Sequence, residues 1–290
     1  MGKTRYGYRS IDGIEIFSRS AGEINAPTVL LLHGFPSSSF QFRSMLGALS
    51  DQWHLVAPDL PGFGFTSVAS DFSYNYTFDS LADTLSKWID QLNLSISAVY
   101  LHDYGGHVGF RLLARHCIRP RAIIIQNTEA YLGNGWKDPM RGIEARQRES
   151  PDQGRARLKS TLINEAGIRK EFYESLPRNI AECIDPAAFQ LGWSKISRPE
   201  ILQAMLDLHM DYGSNIRLYE EIQSYLRTTQ IPTLLLWGER DQYLSMDAAR
   251  AYQRDLPEAE LMSFDGGHWL LESHSEEVNR AVRQFLTSRI

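Results

Sequence analysis

The chain is predicted to be an α/β protein: a mostly parallel sheet of eight strands flanked by helices, with an inserted helical lid. Three observations predict it. Short, uniformly apolar runs recur, as strands buried on both faces require. They alternate with helical segments whose apolar residues share one face. The alternation breaks between about residues 129 and 228, where polar helical segments punctuated by Pro and Gly carry no clear buried strand.

Residues 5–20 read as a hairpin. Tyr6, Tyr8 and Ser10 alternate, Asp12-Gly13 turns the chain, and Ile14 to Phe17 return. Thr28-Val29-Leu30-Leu31-Leu32 is a buried strand that runs into His33-Gly34-Phe35-Pro36 and a helix over roughly 38–50. His54 to Asp59 is the next strand, followed by the Gly-rich loop Leu60-Pro61-Gly62-Phe63-Gly64. Thr77 caps a helix that places Leu81, Leu85, Trp88, Ile89 and Leu92 on one face. Ala98 to His102 and Ala122 to Asn127 are the next two strands. After the lid, the strand beginning at Ile231 runs on to the loop Glu239-Arg240-Asp241, and a helix follows near 247–256. A strand at Glu260 to Phe264 leads to Asp265-Gly266-Gly267-His268-Trp269 and a last helix over roughly 275–288. The expected division is a core of 1–128 and 229–290 around a lid of 129–228.

Composition narrows the function classes. At 43% hydrophobic and 22% charged residues over 290 positions, the chain is an ordinary globular protein with enough length for one large domain and an insertion. A net charge of -5 argues against a nucleic-acid partner. No apolar run approaches the ~20 residues of a membrane span, so no membrane association is expected. No secretory leader pattern opens the chain. Cys117 and Cys183 lack metal-ligand spacing, so no metal site is expected and a reducing cytoplasm is the expected compartment. Cys117 is expected to be a buried thiol. Monomer and homodimer both stay open.

The chemistry centres on Asp103. Only one sharp turn fits between the strand ending at His102 and the helix carrying Phe110, Leu113 and Ala114. A residue on such a turn projects above the sheet edge, beside the free N–H groups and positive end of the following helix. An isolated Asp there would ordinarily be a helix cap. Two further residues change that expectation. Asp241 and His268 also follow strands directly, and the chain order is nucleophile, acid, histidine. Sites in parallel sheets form beyond these strand ends.

On these residues the chain resembles the α/β-hydrolase superfamily, in the branch with an Asp nucleophile. His33-Gly34-Phe35-Pro36 matches that branch's HGxP motif, and His102-Asp103-Tyr104-Gly105 is similar to its HDWG elbow. The branch includes epoxide hydrolases, haloalkane dehalogenases and fluoroacetate dehalogenases. The resemblance implies an oxyanion hole made by the backbone N–H groups of Phe35 and Tyr104, and a cis Phe35-Pro36 peptide.

A carboxylate attacks saturated carbon without first losing a proton, and it forms an alkyl ester. His268 would activate water against that ester, and Asp241 would orient His268. No cofactor is needed. The leaving group decides the enzyme. Dehalogenases resembling this chain use Trp after the nucleophile and often Asn in HGNP, where Tyr104 and Phe35 stand here. Some carry a Glu acid in the stretch that here reads Ala130-Tyr131-Leu132-Gly133, and Gly133 fills the matching place. Fluoroacetate dehalogenases grip a carboxylate with two arginines, at places held here by Tyr104 and His107. Epoxide opening is therefore the first expectation, with Tyr212 as the lid proton donor by resemblance. Trp136, His107 and Trp269 are expected to contact a small apolar or aromatic substrate. A dehalogenase is the alternative. A non-hydrolytic rearrangement enzyme or a ligand-binding protein on the same fold is the third reading.

Overall fold

A computed structural model of the chain describes residues 3–133, 135–137 and 149–290. The strands are β1 Arg5–Ile11, β2 Ile14–Ala21, β3 Thr28–Leu32, β4 His54–Pro58, β5 Ser67–Val68, β6 Ile96–His102, β7 Ala122–Gln126, β8 Thr233–Gly238 and β9 Glu260–Phe264. Eight of them lie along one path, in the order β1-β2-β4-β3-β6-β7-β8-β9. The ninth, β5, pairs antiparallel with β2 and corrects the eight-strand expectation by one. It is two residues long, too short to show a period. From β4 to β9 every pairing on the path is parallel, and β1 and β2 add an antiparallel edge.

The period of two along the central strands splits the core in half. Leu30, Leu32, Val99, Leu101, Ile123 and Ile125 face one layer, with the helices Phe78–Gln91 and Tyr104–Ala114. Val29, Leu31, Ala98, Tyr100 and Ile124 face the other, against Met45, Leu46, Val278, Val282 and Phe285. The latter come from the helices Arg43–Leu49 and Ser275–Arg289. Burial on both faces is why β3, β4, β7 and β8 are buried at every position. Asp12 and Gly13 both take positive φ in the hairpin turn, as Asp-Gly permits. Thr77 caps its helix by accepting from the Ser80 N–H.

Between β7 and β8 the described residues form helices and no strand. Residues 134 and 138–148 of the expected lid lie outside the described residues. Prolines open the helices Pro151–Thr161, Pro186–Ile196 and Pro199–Met210, where the missing N–H is no loss. Ile168, Phe172, Phe189, Met205 and Leu226 from this segment pack into the core half that holds the elbow helix. Cys117 corrects an expectation: it is exposed, because the helix ends at Ala114 and the cysteine falls in the turn beyond. No helix among the described residues is long and apolar enough to cross a membrane.

Candidate active site

The elbow forms where β6 delivers the chain into the helix Tyr104–Ala114 with no intervening loop. Asp103 absorbs the change of direction at φ 49 and ψ -121, a backbone region that L-residues rarely enter. The helix crosses close to the sheet, and a Cβ on Gly105 would lie 2.3 Å from the Leu32 carbonyl oxygen. Thr128 donates its hydroxyl to the Asp103 carbonyl at 3.0 Å and steadies the turn. Asp103 does not cap its helix. Its Oδ1 instead accepts the Phe35 N–H at 2.6 Å, and the Tyr104 N–H also bonds the carboxylate. The Phe35-Pro36 peptide is cis. Burial works to raise the Asp103 pKa, but hydrogen bonding and charge from His268, with the backbone N–H, pull it down to about 2.

His268 and Asp241 converge on this carboxylate. His268 Nε2 lies 3.6 Å from Asp103 Oδ2, and its Nδ1 lies 2.7 Å from Asp241 Oδ2. Asp241 is fully buried and fully satisfied. Oδ2 also accepts from Asn127 Nδ2 at 2.6 Å, while Oδ1 accepts the N–H groups of Tyr243 at 2.6 Å and Leu244 at 3.1 Å. Burial opposes its charge, but His268 and these donors win and hold its pKa below the usual carboxylate range. For His268 burial favours the neutral ring, yet Asp241 and Asp103 together raise its pKa well above the ordinary value. The His268 carbonyl is pinned by Gln126 Nε2 at 2.9 Å and by His102 Nε2 at 3.1 Å. Burial lowers the His102 pKa to about 3, which keeps its ring neutral.

Above these three residues lies a cavity of about 910 Å³ lined by Asp103, His268, Phe35, Tyr104, Tyr212 and Tyr243, among others. Of the other carboxyl groups that line it, two meet tyrosine hydroxyls. Glu129 accepts the hydroxyl hydrogens of Tyr212 and, at 3.0 Å, Tyr219, and His107 Nε2 lies 3.4 Å away. Burial would raise the Glu129 pKa, but His107 and the two tyrosines outweigh it and keep it low. Glu171 accepts from the Tyr243 hydroxyl. Its burial, reinforced by the charges of Asp103 and Asp241, pushes its pKa up to about 8 despite Tyr243 and His268.

The structure brings Asp103, Asp241, His268, Phe35, Tyr104 and Tyr212 together. Three expectations are corrected. Trp136, Trp269 and His107 are buried, and none is among the described residues lining the cavity. Trp269 stacks on Phe172 with ring centroids 4.7 Å apart, Trp136 bridges to Leu244, and His107 Nε2 meets the Tyr212 hydroxyl at 3.1 Å. Tyr212 reaches the cavity, but its O–H is engaged by Glu129. An acid does follow β7: it is Glu129, just before the stretch in which Gly133 was read as its replacement. Sequence reasoning missed Asn127, Tyr243 and Glu171 as well. Asn127 directly follows a strand, as Asp103 does, and that position is a usable signal. Glu171 carries none, since it reaches the site only through lid packing. Among the described residues no cluster could hold a metal ion.

A family model described as alpha/beta hydrolase fold matches residues 27–275. The chain is 37% identical over 266 residues, 91% of its own length and 90% of the other's, to an uncharacterized hydrolase of Saccharomyces cerevisiae. It is 27% identical over 279 residues, covering 89% and 81%, to a cis-3-alkyl-4-alkyloxetan-2-one decarboxylase of Shewanella oneidensis. It is 25% identical over 288 residues, covering 94% and 75%, to epoxide hydrolase 3 of Xenopus tropicalis. The fold is shared with the crystal structure of the haloalkane dehalogenase DbeA from Bradyrhizobium elkani, at a TM-score of 0.77 and 23% identity over 99% of this chain and 98% of that one.

Proposed function

The chain belongs to the α/β-hydrolase fold family, and from that premise we propose that it is an epoxide hydrolase acting through an ester on Asp103. The observation that carries this reading is an ionised carboxylate at the elbow, held by the Phe35 and Tyr104 N–H groups and flanked by His268. Such a group attacks a strained ring carbon directly and needs no base to activate it. The ring C–O bond breaks, and the substrate becomes a hydroxyalkyl ester of Asp103.

Esterification removes the Asp103 charge, one of the two that raise the His268 pKa. His268 can then give up its extra proton and serve as base. It takes a proton from water, which adds to the Asp103 carbonyl carbon. The Phe35 and Tyr104 N–H groups receive the developing oxyanion. Asp241 keeps the ring oriented and stabilises its cationic form.

The leaving group favours an epoxide. An alkoxide needs an acid, and Tyr212, Tyr243 and Glu171 all line the cavity. The Trp and Asn donors expected of a haloalkane dehalogenase do not line it among the described residues. Two relatives are named for strained oxygen rings, an epoxide and an oxetan-2-one, which fits the same substrate class.

The test is the His268→Gln variant with a panel of alkyl and aryl epoxides, read by intact mass and peptide mapping. A hydroxyalkyl adduct should accumulate on Asp103. No adduct with an epoxide that the wild type converts to diol would overturn the covalent mechanism. A plain alkyl adduct with halide release from haloalkanes, and none from epoxides, would make the enzyme a dehalogenase.

A further inference from the structure

We propose that Glu171 is the acid of ring opening, protonating the epoxide oxygen as Asp103 attacks, with Tyr243 as the residue that positions it; this rests on the epoxide hydrolase reading above. Glu171 belongs to the helix Glu165–Tyr173, which is seated by Ile168 and Phe172 in the core. Phe172 stacks on Trp269, next to His268, so this helix is braced directly against the triad's loop. Tyr243 ties the carboxyl to the same loop. Its hydroxyl donates to Glu171 Oε1, its N–H donates to Asp241 Oδ1, and its ring centroid lies 5.5 Å from that of His268. With Oε1 as the accepting oxygen, Oε2 is the one to carry a proton, and it makes no hydrogen bond to any described residue.

The charged surroundings favour the acid form. No Lys, Arg or His among the described residues forms an ion pair with Glu171, whereas Arg157 and Lys137 on the same cavity have partners in Glu149 and the Asp241 carbonyl. Facing it are Tyr243, His268 and the two carboxylates Asp103 and Asp241, with Lys170 and Glu174 from its own segment on the cavity wall. A buried carboxyl beside two carboxylates stays neutral. Its pKa of about 8 suits a group that must hold a proton at neutral pH and still release it.

Tyr212 is less suited. Its O–H is engaged by Glu129, which is itself ionised, so giving up the proton would leave a tyrosinate against a carboxylate. Loss of the Glu171 proton creates one carboxylate, and the Tyr243 O–H already points at it. The step balances. An Asp103 oxygen bonds the ring carbon, the ring C–O electron pair goes to oxygen, and that oxygen takes the Glu171 proton. In the second half, His268 takes a proton from water and gives it to the departing alcohol oxygen. The carboxylic acid left on Asp103 ionises, and its proton returns to Glu171 through solvent.

The test is single-turnover ester formation in His268→Gln, alone and with Glu171→Gln or Glu171→Asp added. His268→Gln alone should form the ester, with a rate that falls as pH rises through the Glu171 pKa, which lies above about 8 in this variant because the His268 charge that lowers it is gone. Adding Glu171→Gln should slow ester formation by about 10²-fold or more and abolish that fall. Adding Glu171→Asp should restore part of the rate together with the pH dependence. Ester formation in the Gln double variant within about two-fold of the single variant, or a slow rate that keeps the same pH profile, would overturn the assignment. Absence of ester in His268→Gln alone would instead count against the epoxide hydrolase reading.

Discussion

At the scale of residues, the site depends on how tightly backbone closes around Asp103. A Cβ on Gly34 would lie 2.6 Å from the Asp103 Cβ and 2.7 Å from Oδ1. Both are shorter than real Cβ contacts, so either Asp103 or the His33-Gly34-Phe35 backbone must move. That backbone also carries the Phe35 N–H that bonds the Asp103 carboxylate. Gly34→Ala should therefore lower kcat by about 10²-fold, the usual cost of an ångström's misplacement at a reacting group. Stability should fall by about 1–3 kcal/mol, as overpacking does. Steady-state kinetics and thermal unfolding check both, and an unchanged kcat would show that the nucleophile tolerates displacement. Asp103, Asp241 and His268 were legible in the chain as a candidate set because each follows a strand. Glu171 and Tyr243 follow no such rule. One is a polar residue on a helix between β7 and β8, and only folding shows that it is buried where the charges of Asp103 and Asp241 reach it. Trp136 and Trp269 misled for the opposite reason: large apolar side chains look the same in sequence whether they line a cavity or fill the core.

At the scale of elements, the parallel strands were readable because burial on both faces leaves an uninterrupted apolar run. The two-residue β5 was not, and neither was the end of the elbow helix at Ala114, which left Cys117 outside. Lid helices were recognisable as helices, but their placement depends on contacts far apart in the chain. The stacking of Phe172 on Trp269 is the contact that sets the helix Glu165–Tyr173 against the triad. Phe172 is buried, so Phe172→Ala should cost about 3–5 kcal/mol in stability. It should also reduce turnover under conditions where the protein stays folded, because Glu171 sits one residue away. Denaturant unfolding and kinetics on the folded variant measure the two effects. A loss of stability with turnover unchanged would mean that this brace serves packing alone.

At the scale of the whole molecule, a sheet supplies Asp103, Asp241 and His268 from three separate strand ends, and the helical segment between β7 and β8 supplies walls above them. The division explains what can be read from a single chain. Core residues obey periodicity and strand order, whereas cavity shape comes from the lid. The account's central claim is that Asp103 carries the substrate and is then freed by water attacking its own carbonyl. A single turnover in ¹⁸O-labelled water, with enzyme in excess over an epoxide, tests this most directly. Mass analysis of the Asp103 peptide should show ¹⁸O in the side chain, while the first diol formed carries none from the water. Unlabelled Asp103 beside a labelled diol would mean that water attacked the substrate itself, and the covalent account would be wrong.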